Sequence, residues 1–397
     1  MSRLDVIGGV YRERCIWPEW DHLYGSGGRA AAAVCGLVDE VVLHAYASDE
    51  LRKQFESYRK LYGFAFRPEP APDHIAFDYV HAMSVPTIRP VPSRIRPLPP
   101  FRVRAAAALR FGMMEGSAVV EADRCVYDPQ SAFRAAPFEE NGSVARQLAI
   151  VANRAEVMAL SVGDEPVAAA KALVAAARAE VVVVKAGALG AYVVTAADVA
   201  RVPAFRSDPV WTIGSGDVFA AVFAAAWAAR GAPAVAAAEA ASRAVAEYAA
   251  SSALPARALE DAAAAAPVEA TTRTGEAYLA APFFSMGQRW LVDEARRCLG
   301  ELGLRVFSPV HDIGPGPAEV VAPADLDALR RCDLVFALLD GLDSGTLFEV
   351  GYARALGKPV YALAQTVGRE DLKMVEGSGC RVFDDFVTAV HHAAWRS

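Results

Sequence analysis

Asp343 stands six residues before Glu349 in DGLDSGTLFEVGYARALGKPV, residues 340–360. A small, turn-forming Asp-Ser-Gly begins the interval, and the pattern predicts that Glu349 opens a helical run, FEVGYARAL, ending at Gly357. A carboxylate on the first turn of a helix, beside a second on the preceding loop, can present a nucleophile to a sugar carbon. The first attacks while the second orients it and balances charge. The plainer alternative is an acidic side chain favoured near a helix N-terminus by the dipole. A second reactive pattern is WTIGSGDVFAAVFAAAWA, residues 211–228, which puts Gly214, Ser215, Gly216 and Asp217 at a helix start. Successive backbone N–H groups there form an anion pocket, and Asp217 is placed to take a proton from an attacking hydroxyl. A glycine turn capped by aspartate is the alternative.

The elements around these residues set their positions. Ala-rich helical stretches (ARAAAAVCGL, AAAKALVAAARA, AVFAAAWAARG, AVAAAEAASRAVAEYAAS) alternate with apolar strands (EVVLHAYA, LAIVANR, EVVVVKAG, GAYVVT). That is the βαβ pattern of a mostly parallel sheet. Residues 74–100, HIAFDYVHAMSVPTIRPVPSRIRPLPP, break it with short alternating strands and a proline-rich tail, predicting a small antiparallel lid or an edge hairpin. Residues 100–150, which include EADRCVYDPQSAFRAAPFEENG, read as loops around short strands.

The segment LPARALEDAAAAAPVEATTRTGEA reads as a short helix followed by a linker. The expected domains are therefore residues 1–255 and 274–397, joined by 256–273. After the linker come strand AYLAAPFF, helix QRWLVDEARRCLGELG, strand RVFSPV and a polar loop, HDIGPGPAEVVAP. Helix ADLDALRRC follows, with Asp325 at its start, then strand DLVFALLD, the Asp343–Glu349 loop and helix, strand KPVYALA, and a last strand and helix. This is a small doubly wound α/β domain with a parallel sheet. Ligands of such sheets sit beyond the carboxyl ends of the strands, which places residues 280–285, 339–344 and Asp325 near one edge. Asp325 as a helix cap and Asp343 as a turn former are the alternatives.

With 397 residues, 54% hydrophobic and 22% charged, the chain is long enough for two domains around sizeable cores. A net charge of -7 argues against a general nucleic-acid binder. No apolar run reaches transmembrane length, and MSRLDVIGG reads as a strand. The six cysteines form no CxxC pair and the seven histidines no HExxH pattern, so no structural zinc site is expected. Free thiols fit a reducing, cytoplasmic setting. The adjacent His391 and His392 read as a solvated terminal pair.

YLAAPFF, ADLDALRRCDLVFALLD and DSGTLFEVGYARALGKPV, in that order, resemble the nucleoside 2-deoxyribosyltransferase family across residues 276–397. The resemblance implies Glu349 as the nucleophile forming a covalent glycosyl-enzyme. It implies Asp343 as the residue holding the sugar hydroxyls and orienting Glu349, and Asp325 as the contact to the base that assists its protonation. Tyr278 stands at the end of the first strand near the nucleophile, with Pro282, Phe283, Ser344 and Gly345 also around the substrate. No cofactor is expected in this domain. Sites in that family are completed by a neighbouring subunit, which implies a homo-oligomer. Asp371 or Lys373, in the loop REDLKMVEG, falls where a partner residue is expected. Ser285, Arg289 and Ser378 are candidates for a 5′-phosphate, with ordinary surface groups the alternative.

GSGGRAAAAVCGL, LAIVANRAEVMAL with Asn153 and Glu156, VVVVKAGALGAYVV with Gly187 and Gly190, and WTIGSGD resemble the PfkB (ribokinase-like) carbohydrate and nucleoside kinases over residues 1–255. The resemblance implies a ribokinase-like α/β domain with a small lid. Asp217 is then the catalytic base and Gly214, Ser215 and Gly216 supply the anion hole. Gly187 and Gly190 lie near ATP, and Asn153 and Glu156 help organise Mg2+. The chain departs from the family where Trp211-Thr212-Ile213 leads into the anion hole and where Ala32 replaces a sugar-binding asparagine. GGVYRERC shows no clear counterpart of an early sugar-binding aspartate. The expected partners are sugars and nucleosides or nucleotides, not nucleic acid or membrane. Together the domains imply a bifunctional enzyme of nucleoside metabolism. The alternative is a degenerate nucleotide sensor regulating a nucleotide N-glycosidase.

Overall fold

The computed structural model describes residues 2–72, 74–130, 135–161, 163–257, 266–268 and 275–396. They form two compact units, Met1–Val268 and Glu269–Ser397. Most of the predicted linker, 256–273, and of the short helix read at its start lies outside the described residues.

In chain order the first unit runs β1 (Arg3–Ile7), β2 (Arg12–Cys15), β3 (Trp20–Leu23), α1 (Gly25–Val34), β4 (Glu40–Ala47), α2 (Asp49–Tyr62) and β5 (Ala65–Pro70). It continues with β6 (Ala76–Tyr79), β7 (Thr87–Arg89), β8 (Phe101–Phe111), β9 (Ala118–Asp128), β10 (Val144–Asn153), α3 (Arg154–Leu160) and α4 (Pro166–Ala175). It ends with β11 (Val181–Lys185), β12 (Ala191–Thr195), β13 (Val199–Val202), α5 (Ser215–Ala224) and α6 (Ala234–Ser251). Nine strands make one sheet, β13-β12-β11-β10-β9-β8-β1-β4-β5, antiparallel only where β12 pairs with β11 and β13. The other four form a small sheet, β3-β2-β6-β7. A lid was predicted from residues 74–100, but β2 and β6 run parallel, so this layer is neither purely antiparallel nor a lone hairpin.

Alanine lets the helices press onto the sheet. All ten residues of α1 are buried, and a Cβ on Gly27 would stand 2.7 Å from the Gly8 carbonyl. Glycine is therefore what allows α1 to lie against the end of β1.

Residues 100–150 are not loops around short strands. They hold β8 and β9, eleven residues each, and the ten-residue β10, all in the middle of the sheet. The first half of β8 alternates exposed Arg102 and Arg104 with buried Val103, and its last five residues are all buried, which disguises it as a loop. Strands β8 and β9 pair in parallel with Phe101 beside Ala118 and Phe111 beside Asp128, yet only residues 112–117 connect them. A straight eleven-residue strand spans about 33 Å, and seven peptide steps reach at most about 25 Å. The pair must therefore curve. The ladder is interrupted at Ala106 and Asp123 and, on β10, at Arg146, which marks a corner crossing all three strands.

The second unit comprises β14 (Glu276–Ala280), α7 (Met286–Glu301), β15 (Arg305–Phe307), α8 (Pro309–Asp312), α9 (Ala318–Arg331), β16 (Leu334–Leu338), α10 (Ser344–Ala355), β17 (Val360–Leu363), α11 (Arg369–Gly377), β18 (Arg381–Phe383) and α12 (Phe386–Trp395). Its five strands are all parallel in the order β15-β14-β16-β17-β18. Counted within the unit this is 2-1-3-4-5, the flavodoxin-like doubly wound order, whose ligand site lies where the order reverses, between β14 and β16.

Four sequence expectations need correction here. Helix α9 begins at Ala318 and carries Pro323 inside it, so Asp325 is mid-helix rather than at a helix start; proline removes one backbone hydrogen bond there without ending the helix. Helix α10 begins at Ser344 with Asp343 as its cap, which puts Glu349 on the second turn, not the first. REDLKMVEG is helix α11, not a loop. His391 and His392 are buried in α12. The His391 Nδ1–H donates to the Val387 carbonyl at 2.8 Å, and burial pushes its pKa down to about 4.

Candidate functional site

In the second unit the reversal between β14 and β16 brings Tyr278 and Glu349 together. Tyr278 lies mid-strand in β14, not at its end. It is fully buried, stacked on Phe307 at 5.6 Å, and its phenol donates to Glu349 Oε1 at 2.5 Å. Burial pushes the Glu349 carboxyl up to about 7, with the Asp325 and Asp343 charges adding to the effect and the Tyr278 hydrogen bond opposing it. Burial also raises Asp325, whose Oδ1 is enclosed without a hydrogen-bond partner among the described residues. Asp343 Oδ2 accepts from the Thr346 N–H (2.8 Å) and Oγ1 (3.0 Å). Gly345 keeps this cap open, because a Cβ there would stand 3.1 Å from the same oxygen.

Glu349, Asp343, Asp325 and Tyr278 thus form one electrostatically connected group. Pro282 and Phe283 follow β14, and Ser344 and Gly345 open α10, at the carboxyl ends of the two central strands. The phosphate candidates already have other work. Ser285 caps α7 in a reciprocal pair with Gln288. The Arg289 Nε donates to the Phe283 carbonyl at 2.9 Å, and the Ser378 hydroxyl donates to the Val375 carbonyl.

In the first unit a cavity of about 610 Å³ is lined by Tyr11, Glu13, Ser26, Arg29, Arg110 and Asp217, among others. Gly214 caps α5 with φ 77°, and Ser215 and Gly216 follow. A side chain packs against Gly214 at this turn. Arg29 is 0% exposed, and a Cβ on Gly214 would lie 2.1 Å from its Nε. Arg29 Nη1 donates to Asp217 Oδ2 at 2.8 Å and to Glu13 Oε1 at 3.0 Å. Nη2 donates to Glu13 Oε2, and Nε to the Tyr248 hydroxyl at 3.0 Å. The other Asp217 oxygen accepts from Gln130 Nε2. Burial raises the Glu13 carboxyl, against the pull of Arg29.

GGVYRERC therefore does place a carboxylate in the chamber, Glu13. Sequence reading missed Glu13, Arg29 and Gln130. The available signal was one charged residue in an otherwise small, apolar helix, GSGGRAAAAV.

A second buried pair lies beside this group. Lys185, ending β11, holds Asp128, ending β9, at 2.5 Å; burial works against the lysine's charge and Asp128 outweighs it. Glu156 bears on the same pair. Asn153 and Glu156 cap α3 reciprocally, the Glu156 N–H donating to Asn153 Oδ1 at 2.9 Å and the Asn153 N–H to Glu156 Oε2 at 2.8 Å. Gly187 and Gly190, at φ 57° and 91°, turn the chain between β11 and β12. For magnesium, the buried Asp128 Oδ1 is an acceptor without a partner among the described residues, which suits a cation. For a transferred phosphoryl group, Asp217 acts as base only on releasing Arg29 or Gln130, which engage its two oxygens.

Two family models match the chain. The pfkB family carbohydrate kinase model covers residues 122–260, and the nucleoside 2-deoxyribosyltransferase model covers residues 277–382. Among solved structures, a ribokinase from Thermotoga maritima is 18% identical at a TM-score of 0.47, covering 65% of this chain and 97% of that one. A nucleoside kinase from Methanocaldococcus jannaschii is 12% identical at 0.46, covering 63% and 92%. A pyrophosphate-dependent kinase in the ribokinase family, complexed with a pyrophosphate analogue and myo-inositol, is 13% identical at 0.46, covering 65% and 98%. No curated protein matches the chain.

Proposed function

We propose that this chain, a PfkB-family segment joined to a nucleoside 2-deoxyribosyltransferase-family segment, cleaves or transfers the N-glycosidic bond of a nucleoside or nucleotide in its second unit. The hydrogen bond from the buried Tyr278 to the half-buried Glu349 carries this reading. Glu349 attacks the anomeric carbon as the bond to the base breaks, and the bonding electrons leave with the base. Asp325, its carboxyl raised by burial, protonates that base. Asp343 holds the sugar hydroxyls. A second base, or water, then displaces Glu349 and restores the carboxylate.

The attacking form is ionised, so turnover should rise with pH through an apparent pKa near 7. Tyr278→Phe should move that limb to higher pH, because the phenol's hydrogen bond favours the carboxylate. A pH–rate profile checks both. An acid limb below about pH 5, or one that Tyr278→Phe leaves in place, contradicts the assignment.

For the first unit we take ATP- and magnesium-dependent phosphorylation of a sugar or nucleoside as the first reading, with Asp217 as base. Arg29 favours a second, in which the unit binds a nucleotide without transferring phosphate and regulates the glycosidase. Both are tested by chromatography of nucleosides, 2′-deoxynucleosides and their 5′-monophosphates incubated with the protein, with and without Mg-ATP. Base release that depends on ATP for nucleosides supports the kinase, whereas nucleotide affinity without ATP consumption supports the second reading. No base release from any substrate overturns the glycosidic function.

Among the described residues, no helix is long and apolar enough to cross a membrane.

A further inference from the structure

Two guanidinium groups line the chamber of the first unit, and they are served differently. Arg29 has two carboxylates. Arg110, near the end of β8, is also buried, with 6% exposure. Its Nη1 donates to the Phe138 carbonyl (2.9 Å), Asn141 Oδ1 (3.3 Å) and Ser143 Oγ (2.9 Å). Its guanidinium lies 5.1 and 5.3 Å from the ring centroids of Tyr127 and Phe138. None of these partners is an anion. Among the described residues its Nε has no hydrogen-bond partner and no carboxylate pairs with it. Burial accordingly lowers its pKa. A buried charge without a counter-charge is costly, and its pairing is ordinarily completed by something.

A second observation points into the same space. Ser26, on the first turn of α1, lines the cavity, is 6% exposed, and its hydroxyl has no hydrogen-bond partner among the described residues. Tyr11, Phe77, Tyr79 and Tyr127 supply apolar and aromatic surface between such polar groups, the composition of a small-molecule site.

We infer that this chamber takes a small sugar-like or nucleoside-like ligand bearing an anionic group, phosphate or carboxylate, which Arg110 holds as counter-ion while Ser26 donates to an oxygen of the same ligand. The inference rests on the reading that the chamber receives a sugar or nucleoside, and names the charge that ligand carries. Pairing is by charge-assisted hydrogen bonds from a planar fork, which suits both oxyanions.

The test uses full-length protein carrying Glu349→Ala, so that no glycosidic turnover consumes the probe. Isothermal titration compares D-ribose and adenosine with D-ribose 5-phosphate, D-ribonate and AMP; ribonate against ribose 5-phosphate separates carboxylate from phosphate. A charged probe should bind about 10-fold or more tighter than its neutral counterpart. Arg110→Met should weaken that probe by about 10- to 100-fold and leave the neutral one unchanged. Binding in the second unit is insensitive to this substitution, so the Arg110-dependent part isolates the chamber.

Because Arg110 also holds three acceptors, two milder variants guard against misfolding. Arg110→Lys keeps charge but loses the fork. Ser26→Ala removes a hydroxyl with no protein partner, should leave the melting temperature unchanged, and should weaken the charged probe by about 2- to 10-fold. Neutral probes that bind as tightly as charged ones, or a charged-to-neutral ratio unmoved by Arg110→Lys and Ser26→Ala, overturn the proposal while the chamber reading stands. Binding of no probe at all overturns both.

Discussion

Glu349→Gln is expected to lower base release by at least ~10³-fold while making the second unit more stable than wild type at alkaline pH. Glutamine keeps the shape and an acceptor for Tyr278 but cannot form the covalent sugar ester. The stability effect follows from the folded pKa of about 7 against an ordinary 4.5. The folded value is the raised one, so the carboxyl's full contribution is present below about 4.5 and is lost as pH rises through 7. Above that pH the ionised, buried carboxylate costs on the order of 3 kcal/mol. Glutamine is neutral throughout and escapes this cost. Urea unfolding at pH 5 and pH 8, read beside the chromatographic assay, separates the two effects. Undiminished base release, or the same pH dependence of stability in variant and wild type, would show that Glu349 is not the nucleophile.

Arg29→Met should destabilise the first unit by about 3–5 kcal/mol, the usual cost of stranding the partners of a buried ion pair. Methionine fills much of the space but leaves the buried Glu13 and Asp217 facing each other, with the Tyr248 hydroxyl losing its donor. The loss is about charge more than volume, so adding Glu13→Gln to Arg29→Met should recover part of it. Denaturant unfolding of the single and double variants measures both. A single-variant loss below ~1 kcal/mol would mean that water already reaches these carboxylates, contrary to their burial.

The second unit was the more legible in sequence because its strands are short apolar runs and its reactive residues follow strand ends at close spacing. Asp343 and Glu349 are joined by local chain, so their proximity needs no fold to establish it. Asp325 was misplaced because Pro323 reads as a helix breaker, whereas α9 tolerates it inside its second turn. In the first unit the parallel sheet was visible, but β8 and β9 were not, since alanine and arginine carry little strand preference and half of β8 alternates with solvent. The Glu13–Arg29–Asp217 group was hidden for another reason. Its members lie on β2, α1 and α5, and only tertiary contact makes Arg29 a counter-charge rather than a surface residue. Asn153 and Glu156, read as magnesium organisers, show at least one structural duty in capping α3.

The connection between β8 and β9 has an evolutionary corollary. Its residues 112–117 bridge two parallel strands with no crossover helix, and Met113, Met114, Gly116 and Ser117 are also chamber wall. The strap is fastened from outside: the Tyr11 phenol donates to Glu115 Oε2 at 2.6 Å, and the Leu98 N–H donates to the Glu115 carbonyl at 2.7 Å. Enzymes commonly diversify their ligands by lengthening or shortening loops over a fixed scaffold. Here loop and scaffold are the same six residues, since extra length would loosen the corner and let β8 slide along β9. Change in ligand preference is therefore channelled into side-chain replacement at constant length, with Met113 and Met114 the positions most free to vary.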